Sequence, residues 1–274
     1  MAPAHAAPRT TIEVLDPADA LTAVESNSAD QFSRTTTFME PQGCDFSVFV
    51  EWAILDVNAA AALPDGKDKA RFLVSALMNA RRGLSNLVDQ YLRRDGFAFC
   101  SDAPRDAESK AALLVRRGIF DQLAADALAR AVDRRNRVEH QYEFPSSADT
   151  QDTIQLVRAT VDGALVRSDP KCSPAFFGSF SGGYKLTPAG EEFWFDSWSG
   201  LVFVFALSEP EPWFGVVIPT TDTEAALRRA PLRSFSCEQL LALHVALERL
   251  PDGGVSGYGA KIFRGQLESA GLLA

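Results

Sequence analysis

The residues best suited to chemistry lie together between positions 133 and 142, in the stretch DRRNRVEHQY. Its members with donor or titratable side chains include Arg134, Arg135, Asn136, Arg137, His140 and Tyr142. A histidine, with an ordinary pKa of about 6.5, can take the proton from a ribose 2′-hydroxyl or return one to the leaving 5′-oxygen. An arginine fork suits the negative charge that develops on a phosphorane. These residue types predict RNA cleavage that uses neither a metal nor a cofactor.

The spacing of these residues sets a geometric condition on such a site. A helical pattern runs into the stretch and Pro145 closes it, so Asn136 and His140, four residues apart, share one helix face. Arg135 is five residues from His140 and points about 140° away on an ideal helix. Arg135 can therefore approach His140 only if the last turn loosens or if a second copy of the chain supplies it.

At these residues the chain resembles the HEPN superfamily, whose members share an arginine, a polar neighbour and a histidine four to six positions later. The sequence RNRVEH, residues 135 to 140, satisfies that pattern, and the following QY completes the Arg-x4-His-x-Tyr form of HepT-like toxins. The resemblance implies catalytic roles for Arg135, Asn136 and His140. It also implies a helical bundle, an active cleft between two subunits of a homodimer, and a function in toxin–antitoxin or defence systems. Arg134 and Arg137 are expected to bind the RNA.

Tyr142 is expected to be a regulatory residue. In HepT-like toxins the matching tyrosine is where a partner enzyme attaches adenylyl groups and silences the toxin. Phosphate groups there would repel the substrate, so the resemblance implies an exposed Tyr142 at the rim of the cleft. The alternative is an ordinary packed aromatic ring in the bundle core.

The elements that would position this stretch are five helices. Apolar residues at three- and four-residue steps predict these helices. The first begins near residue 45, the second, third and fifth cover about 67–94, 106–119 and 149–167, and the fourth runs from a cap at Asp121 to the motif. Gly83, in the middle of the second helix, indicates a close helix crossing. Five helices with short links predict a HEPN-like bundle over residues 43–170. It follows a weakly structured segment over residues 1–42, in which residues 11–15 form one β-capable patch.

The C-terminal part, residues 171–274, has a different pattern. Strands are predicted at 192–198, 201–207 and 213–218, and helices at 222–229, 236–249 and 258–272. The fold class is therefore α+β, with a small module containing a three-stranded, mainly antiparallel sheet. No family resemblance accompanies this module, which is expected to recognise a protein partner.

Composition limits the remaining possibilities. The 274 residues carry a net charge of −9 and four well-separated cysteines, with no apolar run long enough to span a membrane. These features favour a soluble cytoplasmic protein without a metal site, and argue against a generally nucleic-acid-coating surface. Residues 105–140 are the exception, with eight Lys or Arg against six acids. If Arg116, Arg117 and Arg130 gather near Arg135, an RNA groove is indicated, whereas if they scatter the motif is expected to be structural.

Two alternatives to catalysis remain open. The chain could be a non-catalytic HEPN-like scaffold that binds RNA or protein. The arginines could also simply complement the negative end of a helix dipole, with His140 closing the helix. Elsewhere, His244 is expected to pack in a core or at its rim, and the tryptophans of the C-terminal module to lie in a sheet core or a protein interface.

Overall fold

The computed structural model describes most of the chain. The described residues are 9–25, 32–38, 45–141, 143–167, 172–178, 180–187, 190–198, 202–207, 210–221 and 224–249. Their helices are α1 (Pro17–Glu25), α2 (Phe46–Ala61), α3 (Lys67–Arg94), α4 (Ala107–Arg116), α5 (Gln122–Gln141), α6 (Ser147–Arg167) and α7 (Cys237–Glu248). Their strands are β1 (Arg9–Val14), β2 (Phe32–Phe38), β3 (Cys172–Gly178), β4 (Phe180–Thr187), β5 (Gly190–Trp198), β6 (Val202–Ala206), β7 (Trp213–Thr221) and β8 (Glu224–Pro231).

The chain divides into two compact units. The helical unit comprises the described residues within Glu40–Ala98 and Pro104–Lys171, and it contains α2 to α6. The sheet unit comprises those within Met1–Met39, Phe99–Ala103 and Cys172–Ala274, and it contains all eight strands with α1 and α7. The α+β class expected from the sequence is confirmed at this level.

The helical unit is built around α3, which packs against α2, α4, α5 and α6. This helix begins and ends where the sequence predicts, at Lys67 and Arg94. The expected close crossing is confirmed at Gly83, where an added Cβ would lie 2.9 Å from Val50 Cγ2 and 3.1 Å from the Phe46 carbonyl oxygen. Glycine therefore permits α2 and α3 to approach more closely than any other residue would allow.

The sheet is larger than the three strands predicted. Six strands form one sheet in the order β1-β8-β7-β6-β3-β2, and β4 and β5 form a separate pair. Of the pairings in the large sheet, only β1 with β8 is parallel, so its mainly antiparallel character agrees with the prediction. Strand β1 overlaps the β-capable patch at residues 11–15, but β2, β3 and β8 were not predicted as strands, and the strand predicted at 192–198 is β5, which pairs with β4 outside the large sheet.

A second correction concerns residues 222–229, which were predicted to form a helix. The described residues there form β8, with Glu224 opposite Arg9 of β1 and Arg228 opposite Val216 of β7. The run EAALRRA contains good helix formers, but two neighbouring strands supply hydrogen-bond partners that a local propensity cannot anticipate. The helix predicted over residues 258–272 lies outside the described residues.

Aromatic side chains form the core of the sheet unit. Phe203, Phe205, Phe214 and Phe235 are buried, and the Phe205 ring lies 4.9 Å from the His244 ring in a stacked arrangement. His244 itself is 1% exposed, which confirms the expectation of a core histidine. Trp213 is also buried, as a sheet-core residue should be.

The described residues were compared with the requirements of a membrane-spanning helix and of a metal site. None of the helices there is both long enough and apolar enough to cross a membrane. No three His, Cys, Asp or Glu side chains in this part of the chain lie close enough together to hold a metal ion.

Candidate functional site

Helix α5 carries the arginine–histidine stretch on its final turns. The Asp121 carboxylate accepts the backbone N–H of Ala124 at 2.8 Å and so caps the start of the helix. This bond, together with the Arg167 guanidinium, lowers the pKa of Asp121. The buried side chains of α5 stop at Ala131, ten residues before the helix ends at Gln141. The motif therefore lies where α5 leaves the core.

The C-terminal end of α5 is held in place by the start of α6. The Glu143 N–H donates to the Arg137 carbonyl at 3.3 Å, so the chain turns back on the last helical turn. Beyond the turn, the Asp149 N–H donates to Ser146 Oγ at 3.1 Å. Arg134 Nη2 then contacts Asp149 Oδ1 at 2.8 Å and joins the two helices. The link between α5 and α6 is thus fixed on both sides.

Arg135 is the most constrained of the predicted site residues. Its Nη1 donates to the Asn136 side-chain oxygen at 3.0 Å, and its Nη2 forms an ion pair with Glu139. Its Nε is buried and has no hydrogen-bond partner among the described residues. A buried donor without a partner is costly, and because this Nε is covered, an acceptor from outside the helix reaches it only after neighbouring side chains move.

His140 and Asn136 are placed differently from Arg135. Helix α5 is regular through Gln141, so Asn136 and His140 share a face, and Arg135 points about 140° away from His140. His140 is exposed and Asn136 is half-buried. The last turn does not loosen, and one chain therefore does not bring Arg135 and His140 together on the same helix face.

Arg134 and Arg137 line a cleft between α5 and α6. Its volume is about 300 Å³, and its lining residues are Arg130, Asp133, Arg134, Arg137, Asp149, Asp152, Thr153 and Leu156. Arg137 Nε pairs with Asp133 at 3.0 Å within α5, and Arg134 pairs with Asp149. Three arginines meet three aspartates here, so the cleft is close to electrically neutral.

Arg116, Arg117 and Arg130, which were considered as an extension of a basic groove, lie in different surroundings. Arg117 is 8% exposed, and its Nε donates to Asp95 at 2.9 Å, so it is not available to a ligand. Arg130 lines the cleft, whereas Arg116 is exposed at the end of α4. Arg117 therefore does not belong to a basic ligand-binding surface, so the three arginines do not form one basic surface with the motif, an outcome that favours a structural role for the motif.

Other expectations fall outside what the structure describes. Tyr142 is not among the described residues, so its proposed regulatory role stays a prediction. The backbones of Trp194 and Trp198 belong to β5, but their side chains are likewise not described.

The sequence reasoning assigned no role to two residues that hold this region. Glu139 could have been found from its spacing, because it lies four residues after Arg135 on a helix. Asp149 could not, because its contact with Arg134 depends on how α6 packs against α5. Both are carboxylates, and both bind arginines that were expected to face RNA.

Comparison with known proteins adds no relationship: no protein-family model, curated protein or solved structure matches this chain. The HEPN resemblance therefore rests on the motif residues alone.

Proposed function

We propose that this chain is a metal-independent endoribonuclease of the HEPN type that acts as a homodimer. His140 is the general acid–base, Arg135 stabilises the phosphorane, and Asn136 positions the Arg135 fork. The observation that supports this assignment is the state of Arg135. Two edges of its guanidinium are held by Asn136 and Glu139, while Nε is buried and has no partner in the part of the chain that the structure describes. An oriented guanidinium with a donor in reserve suits an anion that develops only during reaction.

In the proposed reaction, His140 removes the proton from the ribose 2′-hydroxyl, and the 2′-oxygen attacks the adjacent phosphorus. The bond from phosphorus to the 5′-oxygen breaks, and the leaving oxygen takes a proton from the imidazolium. The products are a 2′,3′-cyclic phosphate and a 5′-hydroxyl. DNA is not cleaved because it lacks the nucleophile.

The dimer is part of the proposal because α5 is regular. Arg135 and His140 of one chain point in different directions, so a single catalytic centre takes Arg135 from one copy and His140 from the other. Such a composite site predicts that a mixture of Arg135→Ala and His140→Ala regains activity, because each variant supplies the residue that the other lacks.

The test uses single-stranded RNA with a chelator present. We expect wild-type cleavage that is unaffected by the chelator, and we expect loss of cleavage in both Arg135→Ala and His140→Ala. Arg158→Ala is the matched control, because Arg158 is an exposed arginine of α6 that pairs only loosely with Asp162, at 3.8 Å. Cleavage ends should carry a 2′,3′-cyclic or 3′-phosphate.

Mixing the two inactive variants tests the composite site directly. After subunit exchange, the heterodimer holds one centre with both Arg135 and His140, so activity should return to a fraction of the wild-type level. Activity in the single variants, or a monomer by sedimentation at micromolar concentration, would contradict the proposed dimeric site.

A second candidate function is a non-catalytic scaffold that binds RNA or protein. It is favoured by the pairing of all three motif arginines with carboxylates, Arg134 with Asp149, Arg135 with Glu139 and Arg137 with Asp133. Wild-type protein that binds RNA without cleaving it would select this candidate.

A further inference from the structure

An exposed aromatic ring lies immediately beyond the motif. Phe144, four residues after His140 in the link between α5 and α6, has 78% of its surface exposed. Burying a phenylalanine is worth about 1.5–3 kcal/mol, so a ring left this open in a folded unit forgoes a sizeable stabilisation. Single exposed apolar residues are common, and the surroundings of Phe144 decide whether its exposure has a use.

The link that carries Phe144 is held at both ends. The Glu143 N–H donates to the Arg137 carbonyl at 3.3 Å on one side. On the other side, Ser146 Oγ donates to Asp149 Oδ2 at 2.9 Å, and the Ser146 carbonyl accepts the Thr150 hydroxyl at 2.8 Å. The ring is therefore presented outward by a fixed turn and does not extend from a long free loop.

Most of the described residues beside Phe144 in the sequence are polar. Gln141, Glu143 and Ser146 are exposed, as is His140, and Pro145 is half-buried. An apolar protein partner would require a contiguous apolar patch, which these neighbours do not provide. A nucleobase requires only one aromatic face, because its polar edges remain in contact with water or polar side chains.

We propose that Phe144 is a stacking platform for an unpaired nucleobase of the RNA. This inference rests on the proposed function, since it takes RNA as the ligand of the α5 end, and it narrows the substrate class to single-stranded RNA. A base within a duplex is already stacked on its neighbours, whereas a base in a loop or a single strand can turn onto the ring. The Glu143 carboxylate disfavours a phosphate at this turn, so the ring contacts the base.

The experiment measures binding separately from cleavage. The probe is a short, dye-labelled single-stranded RNA in which every 2′-hydroxyl is methylated, so that it cannot be cut. Its affinity is measured by fluorescence anisotropy for the wild type, Phe144→Ala, Phe144→Tyr and Leu123→Ala. Leu123 is the matched control, because it is an apolar residue, 60% exposed, near the start of α5. It lies about 25 Å from His140 along the helix axis.

We expect Phe144→Ala to bind the probe about 5- to 150-fold more weakly, which is the range for loss of one stacked base. Phe144→Tyr keeps the ring and should bind within about twofold of wild type, as should Leu123→Ala. The same RNA annealed to its complement should bind more weakly than the single strand, and its affinity should not depend on Phe144.

The outcomes separate this inference from the proposed function. Equal probe affinity in wild type and Phe144→Ala overturns the stacking role, whereas wild-type cleavage of unmodified RNA would leave the ribonuclease standing. Phe144-dependent binding without any cleavage supports the stacking role and removes the ribonuclease. Wild-type protein that neither binds nor cleaves RNA overturns both. Unchanged RNA affinity with a dimer that dissociates in Phe144→Ala would make the ring a protein contact and overturn the inference.

Discussion

Two groups of arginine–carboxylate contacts in the helical unit differ mainly in their exposure to water. The C-terminal ends of α3 and α4 meet at Asp95. Arg94 Nε and Arg117 Nε donate to its two carboxylate oxygens at 2.5 Å and 2.9 Å, respectively. The Asp95 side chain is 0% exposed, and those of Arg94 and Arg117 are 4% and 5% exposed. We call these three residues the buried cluster.

The second group, at the end of α5, uses the same chemistry in a wetter environment. The side chains of Arg135 and Glu139 are 28% and 26% exposed, and those of Arg134 and Asp149 are 36% and 44% exposed. Water competes for these groups, so each pair contributes little to stability and can exchange its partner at small cost. In the buried cluster, loss of one partner leaves a charge that water cannot reach. Burial therefore distinguishes arginines that hold the fold from arginines that are available to a ligand.

The largest expected effect comes from removing the carboxylate of the buried cluster. Asp95→Ala should lower the free energy of unfolding by about 3–5 kcal/mol, because two buried guanidinium groups lose their shared acceptor. Urea unfolding followed by circular dichroism measures the change. Asp133→Ala is the matched control, since Asp133 pairs with Arg137 on the exposed face of α5 and its removal should cost less than about 0.5 kcal/mol. Similar losses for the two variants would contradict the distinction between the groups.

Conservative replacement of the arginines gives a smaller effect. Arg117→Lys keeps the charge but loses the planar fork, so it should cost about 1–3 kcal/mol by leaving part of Asp95 unsatisfied. Arg135→Lys should change stability by less than about 0.5 kcal/mol, since its pair with Glu139 is partly exposed. Under the proposed function it should nevertheless lower the rate of RNA cleavage. Both values come from thermal and urea unfolding, and a stability loss above 1 kcal/mol in Arg135→Lys would place Arg135 with the structural arginines.

The contact between α5 and α6 tests how weakly an exposed pair is coupled. A double-mutant cycle with Arg134→Ala and Asp149→Ala should give a coupling energy of about 0.2–1 kcal/mol in dilute buffer. The value should fall towards zero in about 1 M salt, where the Debye length is only about 3 Å. A coupling that persists in high salt would show that this pair resembles the buried cluster.

The smallest expected effect is at Glu139. Glu139→Gln keeps a hydrogen-bond acceptor for Arg135 and removes a negative charge, so stability should change by about 0.3 kcal/mol. The affinity for the uncleavable RNA should rise about threefold, because one carboxylate no longer repels the phosphate. Weaker RNA binding in this variant would instead assign Glu139 a role in holding Arg135 for the ligand. Anisotropy at low salt distinguishes the two results.

The helical unit was predicted in more detail than the sheet unit. The limits of α3, the cap at Asp121 and the close approach at Gly83 were all predicted from local residue patterns. Strand β8 was predicted as a helix because its residues are good helix formers and one of its two partners, β1, lies at the other end of the sequence. The candidate site shows the same division, since the Arg135–Glu139 pair is local and the Arg134–Asp149 pair is not.

By itself, the sequence determined the helical periodicity of residues 45 to 167 and the order of Arg135, Asn136 and His140 on one helix, because a regular helix converts spacing directly into direction. Only the tertiary structure decided which charged groups lose contact with water. It buried Arg117 against Asp95, left His140 and Phe144 exposed, and joined strands from both ends of the chain in one sheet. These features depend on packing between distant segments, and burial sets the free-energy cost of an unpaired charge.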